Sequence, residues 1–483
     1  MKKQSLKKNY IYNLVYQIIA IILPIITTPY LSRVLGANGI GIYSYTLSIV
    51  TYFILLGALG TNMYAQREMA CYQDDIEGRS KTFKELFYIR FFSFSITAIV
   101  FFFCFCISNE YDIYYRILLL EIFANMIDIT WFYQGMENFK KVVIKNLLIK
   151  GISIFSIFLF IKSENDVWIY VLIYVLSNLI GNLSLWLDLK NYLVKVKKLN
   201  LKKHFKPMLS LIVPQIAMSI YNVLDKTMIG LLAKNISEVG YYEQSQKITR
   251  LAITIVTALG TVMIPRISNV NSKGDTKKLI NYIYNSFNLV WFLSVPITFG
   301  LISIADNFVP WFFGKGFEKV ALLIKMCSPI AIFIGLANVM GQQYLVSTRK
   351  QSQYTYAVVA SAIVNFIGNL ILIPKYAAIG ATISSVFAEL VGVCVEIYFI
   401  RNVINIKYAF LLSKKYFAAA IIMFVGLMSI NSCFPASMIS TAILVIIGGT
   451  LYILALIILK DSFVITTLEK VIDKIWRKKT VNE

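Results

Sequence analysis

Charge is scarce in this sequence. Of its 483 residues only 15% are Asp, Glu, Lys or Arg, where a soluble domain carries roughly 25%, so water is not the solvent for much of its surface. Histidine is nearly missing: His204 is the only one, and it lies in a lysine-rich loop. Without a second imidazole, a zinc site or a histidine-based proton relay has too little to be built from. Six cysteines are too few for a disulfide framework in a chain of this length. Cys104 and Cys106, two apart, point to different sides of a helix, and the set reads mainly as small buried hydrophobes. A G-x-x-x-x-G-K-S/T loop is also absent, so the chain has no phosphate-binding loop of the ATPase kind. Acidic residues are the scarcer sign, 25 against 47 Lys and Arg, for a net charge of +22.

What is plentiful is apolar surface, at 58% hydrophobic residues and a mean hydropathy of +0.68. Such hydrophobicity excludes disorder. Basic residues spread through so apolar a chain also argue against a nucleic-acid binder, whose cations cluster on one face of a polar protein. The composition is that of a membrane protein.

Apolar runs of 18 or more residues mark membrane-spanning helices. With Gly, Pro and charge clusters as breaks, the sequence predicts fourteen, near 10–31, 39–60, 86–107, 114–134, 142–161, 167–188, 208–232, 245–265, 283–304, 320–345, 354–373, 378–400, 416–433 and 438–459. The first follows Met1-Lys2-Lys3, as in a signal peptide. Its apolar run is too long and lacks a small-x-small cleavage site, so it is expected to remain as an anchor. With the N-terminus inside, thirty-four of the 47 basic residues fall on inner segments and seven on outer ones. That asymmetry predicts an even number of spans with both termini cytoplasmic. The densest cluster is Lys190, Lys195, Lys197, Lys198, Lys202, Lys203 and Lys206. Most of the positive charge is therefore an orientation signal, although such loops can also touch anionic lipid, worth about 1 kcal/mol per Lys near the surface.

An internal repeat follows the spans. Ala58-Leu59-Gly60-Thr61-Asn62-Met63 with Arg67 matches Ala258-Leu259-Gly260-Thr261-Val262-Met263 with Arg266. Upstream, Gly41 and Tyr43 correspond to Gly240 and Tyr242, and later Leu179 and Gly181 correspond to Leu390 and Gly392. The expected fold is all-α: a polytopic membrane protein of two six-helix halves, 1–189 and 207–400, joined by a basic cytoplasmic linker, 190–206. An appended helix pair and cytoplasmic tail, 401–483, complete it. Two parallel halves point to a central cavity and to rocking between inward- and outward-open states.

The stretch from Leu23-Pro24 through Tyr30-Leu31-Ser32-Arg33-Val34-Leu35-Gly36, then Gly39-Ile40-Gly41-Ile42-Tyr43, resembles the start of Wzx-type polysaccharide flippases. So do Gln134-Gly135-Met136-Glu137, Asp225-Lys226-Thr227-Met228-Ile229-Gly230 and Gly240-Tyr241-Tyr242-Glu243-Gln244. Those proteins belong to the multidrug/oligosaccharidyl-lipid/polysaccharide exporter superfamily. The resemblance implies movement of undecaprenyl-diphosphate-linked sugar repeat units across the bacterial cytoplasmic membrane for O-antigen, capsule or another surface polymer. It implies no cofactor and no enzymatic step, and leaves coupling to H⁺ or Na⁺ open. Its expected partners are the lipid-linked oligosaccharide, the bilayer and other polysaccharide-assembly membrane proteins, and no nucleic acid. A multidrug exporter or a polytopic polymerase or glycosyltransferase is the alternative.

Six basic residues remain inside the spans: Arg90, Lys150, Lys226, Lys247, Arg250 and Lys325. Each costs about 2.5–3.5 kcal/mol at the centre of a lipid-facing helix, so each must snorkel, pair or face a cavity. Snorkelling suffices for Arg90 and Lys325, with Arg90 also a candidate for the anionic headgroup. Lys226, Lys247, Arg250 and Lys150, with Arg33 at the outer rim, are the other candidates for binding a diphosphate. Polar faces accompany them: Asn13 and Gln17 in span 1, Ser48 in span 2, Gln215 and Asn222 in span 7, and Glu243 one turn before Lys247. Glu121 and Asp128 share a face of span 4 with Asn125 between them; they pair with a base such as Arg90, or they hold a coupling ion. Asp225, Glu389 and its neighbour Glu396 carry the same two readings.

Overall fold

In hydrocarbon each backbone group must be satisfied within its own helix or a closed barrel, and every regular element among the described residues is helical. The computed structural model describes the backbone of residues 6–466 and 469, and the side chains of 23–208, 223–258, 260, 263–466 and 469.

The chain divides into two units, Met1–Gly240 and Tyr241–Glu483. The first holds α1 (Leu6–Ala58), α2 (Thr61–Cys71), α3 (Ile76–Phe105), α4 (Asp112–Met126), α5 (Thr130–Gly135), α6 (Phe139–Phe160), α7 (Val167–Ser184) and α8 (Lys202–Leu232). The helix α9 (Ser237–Ser272) begins in the first unit and runs on into the second. The second then continues through α10 (Thr276–Phe313), α11 (Glu318–Cys327), α12 (Ile330–Ala337), a π-helical segment Asn338–Val346, α13 (Gln351–Tyr376) and α14 (Ala378–Ile400). It closes with α15 (Ile406–Leu411), α16 (Ser413–Asn431) and α17 (Met438–Ile458).

Eleven helical segments among the described residues are long and apolar enough to cross a membrane. Three features separate that number from the fourteen expected spans. Those at 10–31 and 39–60 run as one helix, α1, bent at Gly36 (φ 66, ψ −179), a left-handed backbone that glycine adopts without strain. The one at 114–134 is interrupted between α4 and α5. The one at 208–232 falls on α8, whose side chains at 209–222 lie outside the described residues.

In the second unit α16 and α17 dock on α10 through buried polar anchors. Tyr416 Oη donates to Asn288 Oδ1 (2.8 Å), Tyr452 Oη to the Phe292 carbonyl (3.0 Å) and Trp311 Nε1 to Thr441 Oγ1 (2.7 Å). Around them Phe287, Trp291, Tyr416, Leu444 and Leu456 form a common core. The cysteines depart from expectation. None of the six forms a disulfide, but only Cys106 and Cys327 are buried, and Cys71, Cys104, Cys394 and Cys433 are exposed. The outer faces of apolar helices meet acyl chains rather than water, so exposure there carries no penalty.

Candidate functional site

The interruption between α4 and α5 frees backbone carbonyls that a continuous helix would use. Side chains from α7 and α3, from the turn that follows α7, and from α5 itself take them up. Asn182 Nδ2 on α7 donates to the Ala124 carbonyl (2.7 Å), and Arg90 on α3 donates from Nε and Nη2 to the Asn125 carbonyl (3.1 and 2.6 Å). Trp186 Nε1 reaches the Ile127 carbonyl (2.8 Å), and Trp131 Nε1 the Asp128 carbonyl (3.1 Å). The sequence causes the break locally. Asp128 Oδ1 accepts from the Thr130 backbone N–H (3.0 Å) and from its hydroxyl, a turn that competes with helix. Trp131, Phe132 and Tyr133 then fill a core with Phe83 and Leu86.

Two acids stand on this break. Glu121, 4% exposed, accepts from Asn125 Nδ2 (2.9 Å) and from Asn178 Nδ2 on α7 (3.1 and 3.2 Å). Asp128 pairs with Lys145 Nζ on α6 at 3.3 Å, and the same ammonium donates to Thr130 Oγ1 at 2.7 Å. The expected partner of these acids, Arg90, is elsewhere engaged. It does not snorkel: it is 1% exposed, donates from Nη1 to Thr61 Oγ1 (2.7 Å) and Asn62 Oδ1 (2.8 Å), and lies over the Phe94 ring. Lys145, counted from the sequence among the inner-loop lysines, is buried in α6 instead. Lys325 does not snorkel alone, because it pairs with Asp306.

Lys145, Asn178 and Asn182 were not singled out from the sequence. The spacing of Tyr170, Tyr174, Asn178 and Asn182, each four apart, marks one polar face of α7. Interrupted helices with satisfied polar groups are tolerated at membrane depth only inside protein or beside a cavity. In transporters they mark binding regions.

A second polar contact joins α1 and α8 within the first unit. Ser48 Oγ lies 2.8 Å from Thr227 Oγ1, and Tyr52 Oη 3.1 Å from the same hydroxyl. Asp225 is 9% exposed and Lys226 is half-buried; both have polar partners. The polar-face residues Asn13, Gln17, Gln215 and Asn222 lie outside the described side chains. Close to this contact, a methyl group on Gly41 would overlap the Ile236 carbonyl, and one on Gly240 would overlap the Ala37 carbonyl. The two repeat-equivalent glycines thus let backbone meet backbone.

On α9, Glu243 and Lys247 approach to 4.0 Å and Arg250 is exposed. Arg33 is exposed beside the α1 bend. Lys150 is half-buried on α6 and makes no ion pair or hydrogen bond among the described residues. Glu389 on α14 is half-buried with a polar partner.

The lone histidine has a structural partner set. His204 is 1% exposed at the start of α8. Its Nε2 lies 2.9 Å from Glu85 Oε2 and its Nδ1 2.9 Å from the Tyr64 hydroxyl. A neutral ring with its proton on Nε2 donates to Glu85 and accepts from Tyr64. Burial pushes His204 down from the ordinary histidine pKa, against the pull of Glu85. Glu85 also accepts from the Asn200 backbone N–H (2.6 Å) and Lys203 (2.9 Å). Arg79 holds the Tyr192 carbonyl from Nη2 at 2.7 Å. The basic linker is strapped to α3 at both ends.

Residues 6–271 match the sequence model of the family described as polysaccharide biosynthesis protein, and residues 151–454 that of the lipid II flippase MurJ. An Escherichia coli (strain K12) protein named as an O-antigen transporter is 23% identical over 407 residues, 83% of this chain and 98% of that protein. A Haloferax volcanii protein named as a low-salt glycan biosynthesis flippase is 23% identical over 190 residues, 39% of this chain and 40% of that one. Among solved structures, the lipid II flippase MurJ in an inward closed conformation aligns with a TM-score of 0.75 at 16% identity, over 94% of this chain and 100% of that chain. An inward-facing multidrug resistance MATE family transporter of the MOP superfamily gives 0.55 at 13% identity, over 82% and 99%. At such identities the likeness is one of fold. The named relatives are transporters and flippases, and the chain is a multi-pass membrane protein of their architecture.

Proposed function

The chain belongs to the polysaccharide biosynthesis protein family, and on that premise we propose that it flips undecaprenyl-diphosphate-linked oligosaccharide repeat units from the cytoplasmic to the outer face of the bacterial cytoplasmic membrane. Both termini lie in the cytoplasm, and the cycle is one of alternating access. The observation that carries the reading is Lys150. Its ammonium is half-buried within an apolar helix and has no anion beside it among the described residues. A cation kept there at a cost of about 2.5–3.5 kcal/mol is explained by an anion that comes and goes. Lys226 on α8 and, on α9, Lys247 and Arg250 are further cations suited to such an anion. Glu121, Asp128, Asp225 and Glu389 are the groups offered for coupling to H⁺ or Na⁺. Hydroxyl and amide faces such as Ser48 and Asn178 suit sugars. With the cell interior negative, two charges moving outward are driven by about 2 × 2.3 kcal/mol per 100 mV.

The test is a deletion strain complemented with the wild type, Lys150→Glu, and a Lys247→Glu, Arg250→Glu double variant. The wild type is expected to restore surface polysaccharide. The variants should insert normally yet leave lipid-linked units accumulating inside. Normal polysaccharide in the charge-reversed strains removes these cations from the site; drug sensitivity with normal polysaccharide in the deletion strain would point to a multidrug exporter.

A further inference from the structure

Glu396 on α14 is 2% exposed, and its Oε2 has no hydrogen-bond partner. Its other oxygen lies against Gly341 so closely that a methyl group on that residue would overlap it, and the Tyr354 ring from α13 closes on the same glycine. Gly341 stands in the middle of the nine-residue π-helical segment Asn338–Val346. A π-turn is a widened turn that normally appears singly and clusters at functional positions, so a run of this length needs holding in place. Part of the holding is a chain of side chains. Tyr354 is hydrogen-bonded to Gln342, Asn338 Nδ2 donates to Gln342 Oε1 (3.1 Å), and Gln343 Nε2 donates to Asn338 Oδ1 (3.0 Å). Gln343 in turn lines a cavity of about 490 Å³ with Asn285, Ser286, Asn288 and Ser462, and its Oε1 is unpaired.

No cation balances Glu396 among the described residues. The acidic neighbour is Glu389, two turns earlier on the same helix, and from α13 the titratable group is Tyr354. On the π-helical segment, the Tyr344 hydroxyl faces Lys350 at 3.4 Å. On α11, Lys325 is paired with Asp306, Glu318 accepts from the Gly316 N–H and Lys319 has its own partner; α12 carries no charge. A buried carboxylate with neither a cation nor a full set of donors is far costlier than the neutral acid. Gly341 and the Tyr354 ring leave little room for the oxygen shell of a metal ion, and no group of three His, Cys, Asp or Glu that could hold one occurs among the described residues.

We propose that Glu396 is a proton-binding site, occupied while the Asn338–Val346 segment is π-helical and emptied to water when that segment rewinds. Rewinding to α-helix would carry Gly341 off the carboxyl and uncover the acid. The proton then leaves to water and the carboxylate remains.

The carboxyl is read directly, without substrate, by infrared difference spectroscopy of the full-length protein in nanodiscs titrated with base. A protonated-carboxyl C=O band is expected that shifts in D2O, disappears in Glu396→Gln and moves in Glu396→Asp. Gly341→Ala, which collides with the carboxyl, should displace the band's titration midpoint. A band unchanged in Glu396→Gln, or no such band at any pH, overturns the proposal. A band lost on adding Na⁺ at constant pH assigns the site to sodium and also overturns it. The transport arm alone rests on the flippase reading. In proteoliposomes, flipping of a fluorescent polyprenyl-diphosphate oligosaccharide should respond to a proton gradient by up to about tenfold per pH unit for one coupled proton, and Glu396→Gln should lose that response. A retained response refutes the coupling. Failure of the wild type to move this lipid at all refutes the flippase reading, while the carboxyl band still decides the proton site.

Discussion

Replacing Arg90 separates architecture from substrate binding. Its guanidinium uses Nε and Nη2 on the Asn125 carbonyl and Nη1 on Thr61 and Asn62, above the Phe94 ring. In Arg90→Ala, the Asn125 carbonyl keeps only the Asp128 backbone N–H, and the buried Thr61 hydroxyl loses its charged donor. Each charged hydrogen bond lost costs about 1.5–3 kcal/mol, and the lost ring contact adds about 1–2 kcal/mol. A total of roughly 3–5 kcal/mol follows, since such terms overlap. That is large enough to lower the melting temperature of the purified protein by on the order of 10 °C. Arg90→Lys decides between the roles. It keeps the charge an anionic headgroup would need, but an ammonium cannot reproduce a planar fork that bridges a carbonyl, a hydroxyl and an amide. Both variants are therefore expected to melt early, with Lys recovering less than half of the Ala loss. A Lys variant that melts like the wild type, or an Ala variant that melts normally and fails only in transport, would refute the reasoning and return Arg90 to the substrate site.

Asp128→Asn should leave Lys145 buried without its anion and cost about 3–5 kcal/mol, while adding Lys145→Met recovers much of it; additive losses in the melting assay would show that the pair is not coupled. Gly41→Ala should destabilise by about 1–3 kcal/mol through overlap with the Ile236 carbonyl, whereas Gly151→Ala, with open space around it, should be nearly silent. Because the folded state holds His204 below its ordinary pKa, its contribution is complete above about pH 6.5 and is lost as the pH falls through the lower folded value. Mild acid should accordingly loosen the linker, seen as faster amide exchange near Asn200, and His204→Gln should flatten that dependence.

The class of protein and its helices are legible in the sequence because they rest on composition and period, which a bilayer enforces strongly. Glu121 and Asp128, expected on one face of a single span, are instead separated by the end of α4 at Met126. The α4–α5 break is hidden because hydropathy averages over it. Leucines and isoleucines continue to Ile129, and only the Asn125, Asp128 and Thr130 side chains record the turn. Lys145 was misplaced for a related reason: counting lysines by side assigns any cation near a helix end to water, and nothing local announces an aspartate partner seventeen residues earlier. The bend at Gly36 reads as a loop because glycine marks both. Glu396 is visible as an intramembrane acid, but its missing partner is a fact about α13 and the π-helical segment, which no spacing on α14 contains.

Gly41 and Gly240 occupy equivalent places in the internal repeat, and each lies against the backbone beside the other. Each glycine therefore guards the same seam: a side chain at either position would push the Ala37–Gly41 backbone away from Ile236–Gly240, so neither can be enlarged without loosening the contact that both share.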